Sequence, residues 1–333
     1  MIRTIATLVL AALALSGAAA AEPLKLRVAY SGVPGHLTAL MQHVPKDVIP
    51  HWGKTYVVDP IFIQGSGPAM QAQAAKEIDL AGYSYQSFAN AVIVANLDIR
   101  VVEECLSDKA PNGSIGFYAR PDSDIRRIED VRGKVVGINA RGSTIDAALH
   151  KMMSDHGLTD GKDYQIVEVR FDALPTALRA KRVDVALLNL PFNLMAEKNG
   201  EGRKLFTLRD ALGPTQNLVW TAWAEFVGKN RAAMVDFLED DLRMRRWLYD
   251  PKNRDAALKI LTTVTKQPAE AFADYVFTVK DSYRDMNGDV DPDLLQKNVD
   301  DLQKLGLTKA TFDVKKYMDM SLVREAANRL RGM

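Results

Sequence analysis

The sequence predicts an α/β protein of two lobes, each a mostly parallel sheet flanked by helices, with two crossings of the chain between the lobes. Three observations predict it. Glu129–Asn189 decomposes into strand, helix, strand, helix, strand: Lys134–Ile138 is a short apolar run, Tyr164–Val169 alternates with period two, and Val183–Leu188 is a second apolar run. That order implies a parallel sheet with right-handed crossovers. Ala75–Ala81 (AKEIDLA) and Ala180–Ala186 (AKRVDVA) share their Ala, Lys, Asp and final Ala. Each copy reads as a turn from a helix into a buried strand, so the chain holds two units of like architecture. Beyond Phe226 the pattern turns helical, and these helices are expected to pad the first lobe.

Within the central unit, Ile145, Ala148, Leu149, Met152 and Met153 fall at i, i+3, i+4, i+7 and i+8, one face of a helix. Ser143, with Asp146 three residues on, marks its start, and Gly157 its end. A second helix is expected to begin near Pro175, with Asp172 as its cap.

From the beginning of the chain, Met1–Ala21 reads as a secretory signal: Arg3 in the n-region, an apolar core over Ile5–Leu15, and a small-residue site at Ala19–Ala21, with cleavage before Glu22. The apolar core is too short for a bilayer span, and no cysteine follows it to carry a lipid. The expectation is a protein of the periplasm. Its one cysteine, Cys105, leaves no intramolecular disulfide, so stability must come from burial. Apolar residues make up 47% of the chain, enough for two cores. A formal net charge of +1 with no basic stripe excludes nucleic acid as a partner.

Leu24–Tyr30 is the first strand, running into Ser31–Gly35, with a helix-like stretch after it. Tyr56–Ile63 is the second, running into Gln64–Pro68. Both loops lie at carboxyl ends of strands, where open α/β sheets bind ligands, and glycine lets the backbone approach them. Gly65-Ser66-Gly67 lacks the residues of a dinucleotide fingerprint or a P-loop. Ile99–Cys105 and Ser114–Ala119 are strands on either side of the first crossing, at Ser107–Gly113. Lys204–Leu208 ends the second lobe, and Asn217–Phe226 is read as the return crossing. Helices follow over Arg231–Tyr249 and from near Pro251, Pro268 and Pro292, the last capped by Asp291 and stopped at Gly306. The expected division is 1–21 signal, 22–112 first lobe, 113–213 second lobe, and 214–333 return crossing and helical remainder of the first lobe.

Gly142-Ser143-Thr144 follows a strand and opens a helix. Its backbone N–H groups lack intrahelical partners and sit at the positive end of the helix dipole, a ready anion site. Arg141 beside it can add a bidentate contact to a carboxylate, sulfonate or phosphate. Equally, Ser143 can serve as a cap alone and Arg141 can be solvated.

The pattern DVRGKVVGINARGST…ALRAKRVDVAL resembles the periplasmic substrate-binding proteins of ABC importers, of the nitrate/sulfonate/taurine type, with the type II periplasmic-binding fold. The resemblance covers nearly the whole chain after residue 21 and is strongest over Ile128–Pro191. Lys76 and Lys181 depart from it, standing where glycine is common. The resemblance implies a ligand closed between the lobes, delivery to a permease in the inner membrane, and Gly142, Ser143 and Thr144 holding the ligand's anionic end. The loop positions add Ser31, Gly65, Ser66, Tyr83 and Ser84 from the first lobe and Asn189 and Pro191 from the second. Trp220 joins them as an aromatic with a polar handle on the return crossing, and Trp223 is read as packing. His36 lies close to the first loop as an outside candidate, and Asp79 and Asp184 are expected to brace their turns.

Enzyme signatures are missing. The five histidines form no H-E-x-x-H, and no G-x-S-x-G elbow is present. Asp285, Asn287, Asp289 and Asp291 hint at a calcium loop, but Val290 and Gln296 stand where that loop needs Gly and Glu. The expectation is therefore a monomeric binder of a small organic anion, a sulfonate or an aromatic or aliphatic carboxylate, with no cofactor, metal or catalytic residue. The alternatives are a binder of a neutral or cationic molecule such as a pyrimidine or thiamin precursor, and a fold-related enzyme.

Overall fold

A computed structural model describes residues 22–332, so the secretory signal read at Met1–Ala21 lies outside the described residues. Among the described residues ten strands form two sheets: β1 (Leu24–Tyr30), β2 (Tyr56–Phe62), β3 (Leu80–Ser84), β4 (Ile99–Asp108), β5 (Gly116–Ala119), β6 (Val135–Ile138), β7 (Gln165–Glu168), β8 (Val185–Leu188), β9 (Arg203–Thr207) and β10 (Thr215–Trp223). The first sheet has the order β2-β1-β3-β10-β4 and the second β7-β6-β8-β5-β9. In each, four strands run in one direction, as β6 does with β7 and with β8, and one strand, β10 or β5, runs against them and pairs antiparallel with the neighbour on either side.

The helices are α1 (Ser66–Ala74), α2 (Tyr85–Ile93), α3 (Thr144–Asp155), α4 (Leu174–Arg179), α5 (Phe192–Lys198), α6 (Leu208–Leu212), α7 (Ala224–Lys229), α8 (Arg231–Tyr249), α9 (Arg254–Thr265), α10 (Glu270–Ala273), α11 (Pro292–Lys304) and α12 (Ser321–Arg329). The stretch after Gly35 forms only a short 3-10 turn, Thr38–His43. Two separate apolar cores result. One gathers β1 to β4, β10 and the C-terminal helices, and the other gathers β5 to β9 with α3 and α4. The helical tail packs on the first sheet as its apolar periodicity requires.

Local signals set several boundaries. Ser143 Oγ accepts from Asp146 N at 3.3 Å and caps α3. The helix closes at His156, followed by Gly157 in the left-handed region (φ +68). Asp291 accepts from Asp293 N and Leu294 N, capping α11 ahead of Pro292 at its first position. Asp172, expected to cap α4, instead pairs with Arg170 at 3.1 Å, and the N-cap is Ala173 without a side-chain bond.

The sequence repeat is a structural one. Lys76 and Lys181 both take φ +60, closing α1 and α4 in the left-handed conformation. Three residues later Asp79 Oδ2 accepts from Arg27 N at 3.0 Å, and Asp184 Oδ2 accepts from Val135 N at 2.9 Å. Each carboxylate ties the turn to the adjoining strand of its sheet. Asp79 adds a two-pronged bond to the Arg27 guanidinium.

Asn217–Phe226, expected to be a crossing, is mostly strand. β10 inserts between β3 and β4 and pairs with both. The passages between sheets are the segments flanking β4 and β10, and a polar system holds them. Arg209 of α6 donates to Asp108 of β4 at 2.7 Å and to Asn112 O at 2.7 Å, and Ser114 also donates to Asp108. Gln216 links the strand to Ser107 and Asn298. Beneath β4, Arg245 lies fully buried among Glu103, Glu104 and Asp241. Burial pushes Glu104 up to about 7, against the pull of Arg245, and pushes Glu103 well above the carboxylate range, with Asp241 adding to the rise.

Candidate functional site

Three helices begin where the two sheets face each other. α1 follows β2, α2 follows β3 and α3 follows β6, so each starts at the carboxyl end of a parallel strand. Gly65 (φ +87) precedes α1, and a Cβ placed there would come within 3.1 Å of the Ala140 Cβ. That close approach, besides the left-handed backbone, is what glycine permits. Ser84 caps α2, its Oγ accepting from Ser87 N at 3.2 Å, and Ser84 N donates to Ser66 Oγ at 3.2 Å, tying α1 to α2. Across the seam Ser87 Oγ donates to Gly142 O at 2.9 Å and Ser84 Oγ to the same oxygen at 3.4 Å. Thr144 Oγ1 donates to Asn217 O at 3.3 Å, a second tie between α3 and the first lobe.

Thus Gly65, Ser66, Ser84, Gly142, Ser143 and Thr144, all expected at the cleft, come together there. The serine and threonine side chains among them are already engaged. Ser143 Oγ donates to Ala140 O at 2.8 Å while capping α3, and Gly142 N donates to Asp146 Oδ2 at 2.9 Å. The N–H groups of Thr144 and Ile145, in the first turn of α3, have no intrahelical acceptor. Asp146 also holds His150 (Nδ1–Oδ1 3.2 Å), whose pKa rises through that bond.

Arg141 does not form the expected fork toward the seam. Its guanidinium pairs with Asp160 at 2.7 Å within its own lobe, and its backbone N donates to Glu168. Tyr83 is fully buried in the first lobe, its hydroxyl donating to Gln73 Oε1 at 2.9 Å, which places it among the core and not on the cleft. Trp220 is 2% exposed because β10 is an inner strand, and its ring meets His36 edge-on at 5.4 Å.

His36 lies under the first loop. Ser31 N donates to its Nδ1 at 3.4 Å and its Nε2 faces Gly82 O at 3.2 Å, so the neutral ring donates through Nε2–H. Burial pushes its pKa down to about 4, with nearby Arg284 adding to the fall. Ser31 itself is half-buried. Asn189 closes β8 with its Nδ2 donating to Leu190 O at 3.2 Å, and Pro191, joined to Leu190 by a cis bond, caps α5.

Sequence reasoning missed Ser87, Gln86, Asn139 and Asn217 at the seam. It followed glycines and aromatics, whereas the useful signal was position: each lies within three residues of a strand's end or a helix's start. It missed Tyr30 and Phe62 too, an edge-on pair at 5.6 Å at the carboxyl ends of β1 and β2, with Phe62 53% exposed.

Among the described residues one group of three potential metal ligands gathers: His51, Asp236 and Glu239, with ligand atoms within 4.8 Å. Arg329 pairs with both carboxylates and Arg243 with Glu239, so the group already has its cations. The residues of the calcium-like run are engaged as well. Asp285 accepts from Asn287 N, Asp289 pairs with Arg324, and Asp291 is the α11 cap.

The family model described as NMT1/THI5 like matches residues 58–244. The chain belongs to that NMT1/THI5-like family. No curated protein sequence matches it. Among solved structures, the alkanesulfonate-binding protein of Xanthomonas axonopodis pv. citri, bound to MOPS, is 17% identical with a TM-score of 0.72, over 90% of this chain and 100% of that one. The periplasmic nitrate-binding protein of Synechocystis PCC 6803 is 16% identical with a TM-score of 0.71, over 94% and 90%. The desulfurization enzyme DSZB is 14% identical with a TM-score of 0.65, over 92% and 100%. At such identities the likeness is one of fold, and this family member has the two-lobed fold of periplasmic binding proteins.

Proposed function

We propose that this family member is the solute-binding component of an ABC importer, working as a monomer in the periplasm. It captures a small organic anion between its lobes and delivers it to a permease in the inner membrane. The observation that carries this is the meeting of three helix N-termini, α1 and α2 from one lobe and α3 from the other, at one seam. Each N-terminus presents free N–H groups and a positive dipole end. One such contact contributes at most about 2 kcal/mol, and micromolar affinity needs about 8 kcal/mol. Three in convergence, with burial of the ligand's body, approach that.

The binding lobes are taken as 22–112 with 214–333, and 113–213, hinged near Asp108–Ser114 and Gly213–Asn217. A ligand that touches both favours closure by its differential contacts. Binding is favoured over catalysis by the chemistry present. The only cysteine, Cys105, is buried in β4 with its thiol pushed up, unsuited to attack. The serine hydroxyls at the seam serve as caps and lobe ties.

The test is a thermal-shift screen of the exported form against sulfonates, aromatic and aliphatic carboxylates, nitrate, and neutral or cationic amines. A ligand at about 1,000 times its Kd stabilises by about 4 kcal/mol, an unmistakable shift. A shift with organic acids supports the proposal. Shifts with amines or neutral pyrimidines alone would overturn the anion site.

A further inference from the structure

Three side-chain amides around the seam each hold a buried oxygen with no hydrogen-bond partner among the described residues: Gln86 Oε1, Asn139 Oδ1 and Asn189 Oδ1. Gln86 is 3% and Asn139 6% exposed. Their placement is shared. Asn139 directly follows β6, one residue before Ala140, the residue Gly65 approaches. Asn189 directly follows β8, the parallel neighbour of β6, and their register, Gly137 opposite Ala186, carried three residues on, sets Asn189 beside Ala140. Gln86 lies in the first turn of α2, between Ser84 and Ser87, whose hydroxyls reach Gly142. The Asn189 amide has a fixed sense: its nitrogen donates to Leu190 O, and turning it over would set oxygen against oxygen.

An amide oxygen buried without a donor costs about 1–3 kcal/mol, and three together are a large share of a domain's net stability of about 5–15 kcal/mol. Ligand sites are where such acceptors are retained. The charges nearby do not serve them: Arg141 is held by Asp160, and Asp146 sets a negative charge against the start of α3. Carbonyl oxygens repel a bare oxyanion and need N–H or O–H groups opposite them.

We propose that the ligand carries hydrogen-bond donors besides its acid group, and that Gln86, Asn139 and Asn189 read them. The ligand class is then an amino- or hydroxy-substituted organic acid, in place of a plain alkyl acid or an inorganic oxyanion. This rests on the anion-binding reading of the seam.

The experiment is calorimetric titration of the protein with matched probes: 2-aminoethanesulfonate against ethanesulfonate, 2-hydroxyethanesulfonate against the same parent, and 4-aminobenzoate against benzoate. In at least one pair the donor-bearing acid binds about tenfold tighter or more, since a site built to bond a donor rejects the analogue lacking it. Asn189→Leu and Asn139→Leu bring that ratio close to one, and a cooperative thermal transition with an unchanged circular dichroism spectrum shows that each variant is folded. Parent acids that bind as well as their substituted partners overturn the proposal and leave the anion site standing. A ratio that survives both substitutions overturns the residue assignment. If no acid of either kind binds while ethanolamine does, the anion reading itself fails, and this proposal with it.

Discussion

Lys181 and Lys76 show how one residue at a turn records architecture. A side chain in the left-handed conformation costs about 1–2 kcal/mol, which glycine avoids while losing some unfolded-state entropy. Lys181→Gly is therefore expected to stabilise the fold by about 0.5–1 kcal/mol, read as a raised urea midpoint with unchanged slope. The resemblance implies glycine at both positions, and their left-handed backbone, φ +60, is the conformation glycine adopts without strain. His36 gives a pH-dependent case. Its pKa falls from 6.5 to about 4 on folding. A base with a depressed pKa binds fewer protons folded than unfolded, so its burial costs nothing above about pH 6.5 and progressively more as the pH falls toward 4. The loss reaches about 3 kcal/mol at pH 4. Urea titrations from pH 7 to 4 should show His36→Gln gaining on the parent protein by that order. A constant difference would mean the ring is not buried neutral.

The helix α3 and strand β10 mark what sequence could and could not reveal about elements. The α3 apolar stripe, its serine cap and its closing Gly157 were all legible because each is a local device, complete within one or two turns. Ser143→Ala should cost about 1 kcal/mol of stability through the lost cap. It should also weaken ligand binding as the first turn frays, which parallel thermal and titration measurements on the variant would show. β10 was recognised as an apolar, aromatic run but given the wrong role, because nothing in NLVWTAWAEF states which strands will flank it. Once it lies between β3 and β4, Trp220 must be core, and the same insertion fixes Thr221, whose hydroxyl donates to Ala81 O at 3.1 Å. Tyr83 failed for a like reason: a tyrosine at the end of a strand finds its acceptor in Gln73 of the neighbouring helix, a partner only tertiary structure supplies. Asn189 was legible from its loop position, but Gln86 and Asn139 were hidden because an isolated Asn or Gln has no pattern. Only its burial without a partner makes it conspicuous.

In the molecule as a whole, a polar system ties the two sheets where the chain passes between them. Arg209 belongs to the second sheet's helices and Asp108 to the first sheet's last strand, and their pair sits with Asp108 4% exposed and pushed up by burial. Arg209→Ala leaves that carboxylate without its cation. We expect a loss of about 3 kcal/mol and a broader distribution of interlobe distances by double electron–electron resonance, with no change at the seam itself. The topology carries a further consequence, for the order of folding. The second lobe's strands, β5 to β9, are contiguous in the chain, whereas the first lobe's sheet stays split until β10 emerges to bridge β3 and β4. The second lobe can therefore fold as soon as its last strand is delivered, while the first must hold a torn sheet and await both β10 and the helices that cover it. A fragment spanning 113–213 should show cooperative unfolding by itself. One spanning 22–213 should show the same single transition and a protease-sensitive amino-terminal half. The lobe that begins the chain is the one that finishes folding last.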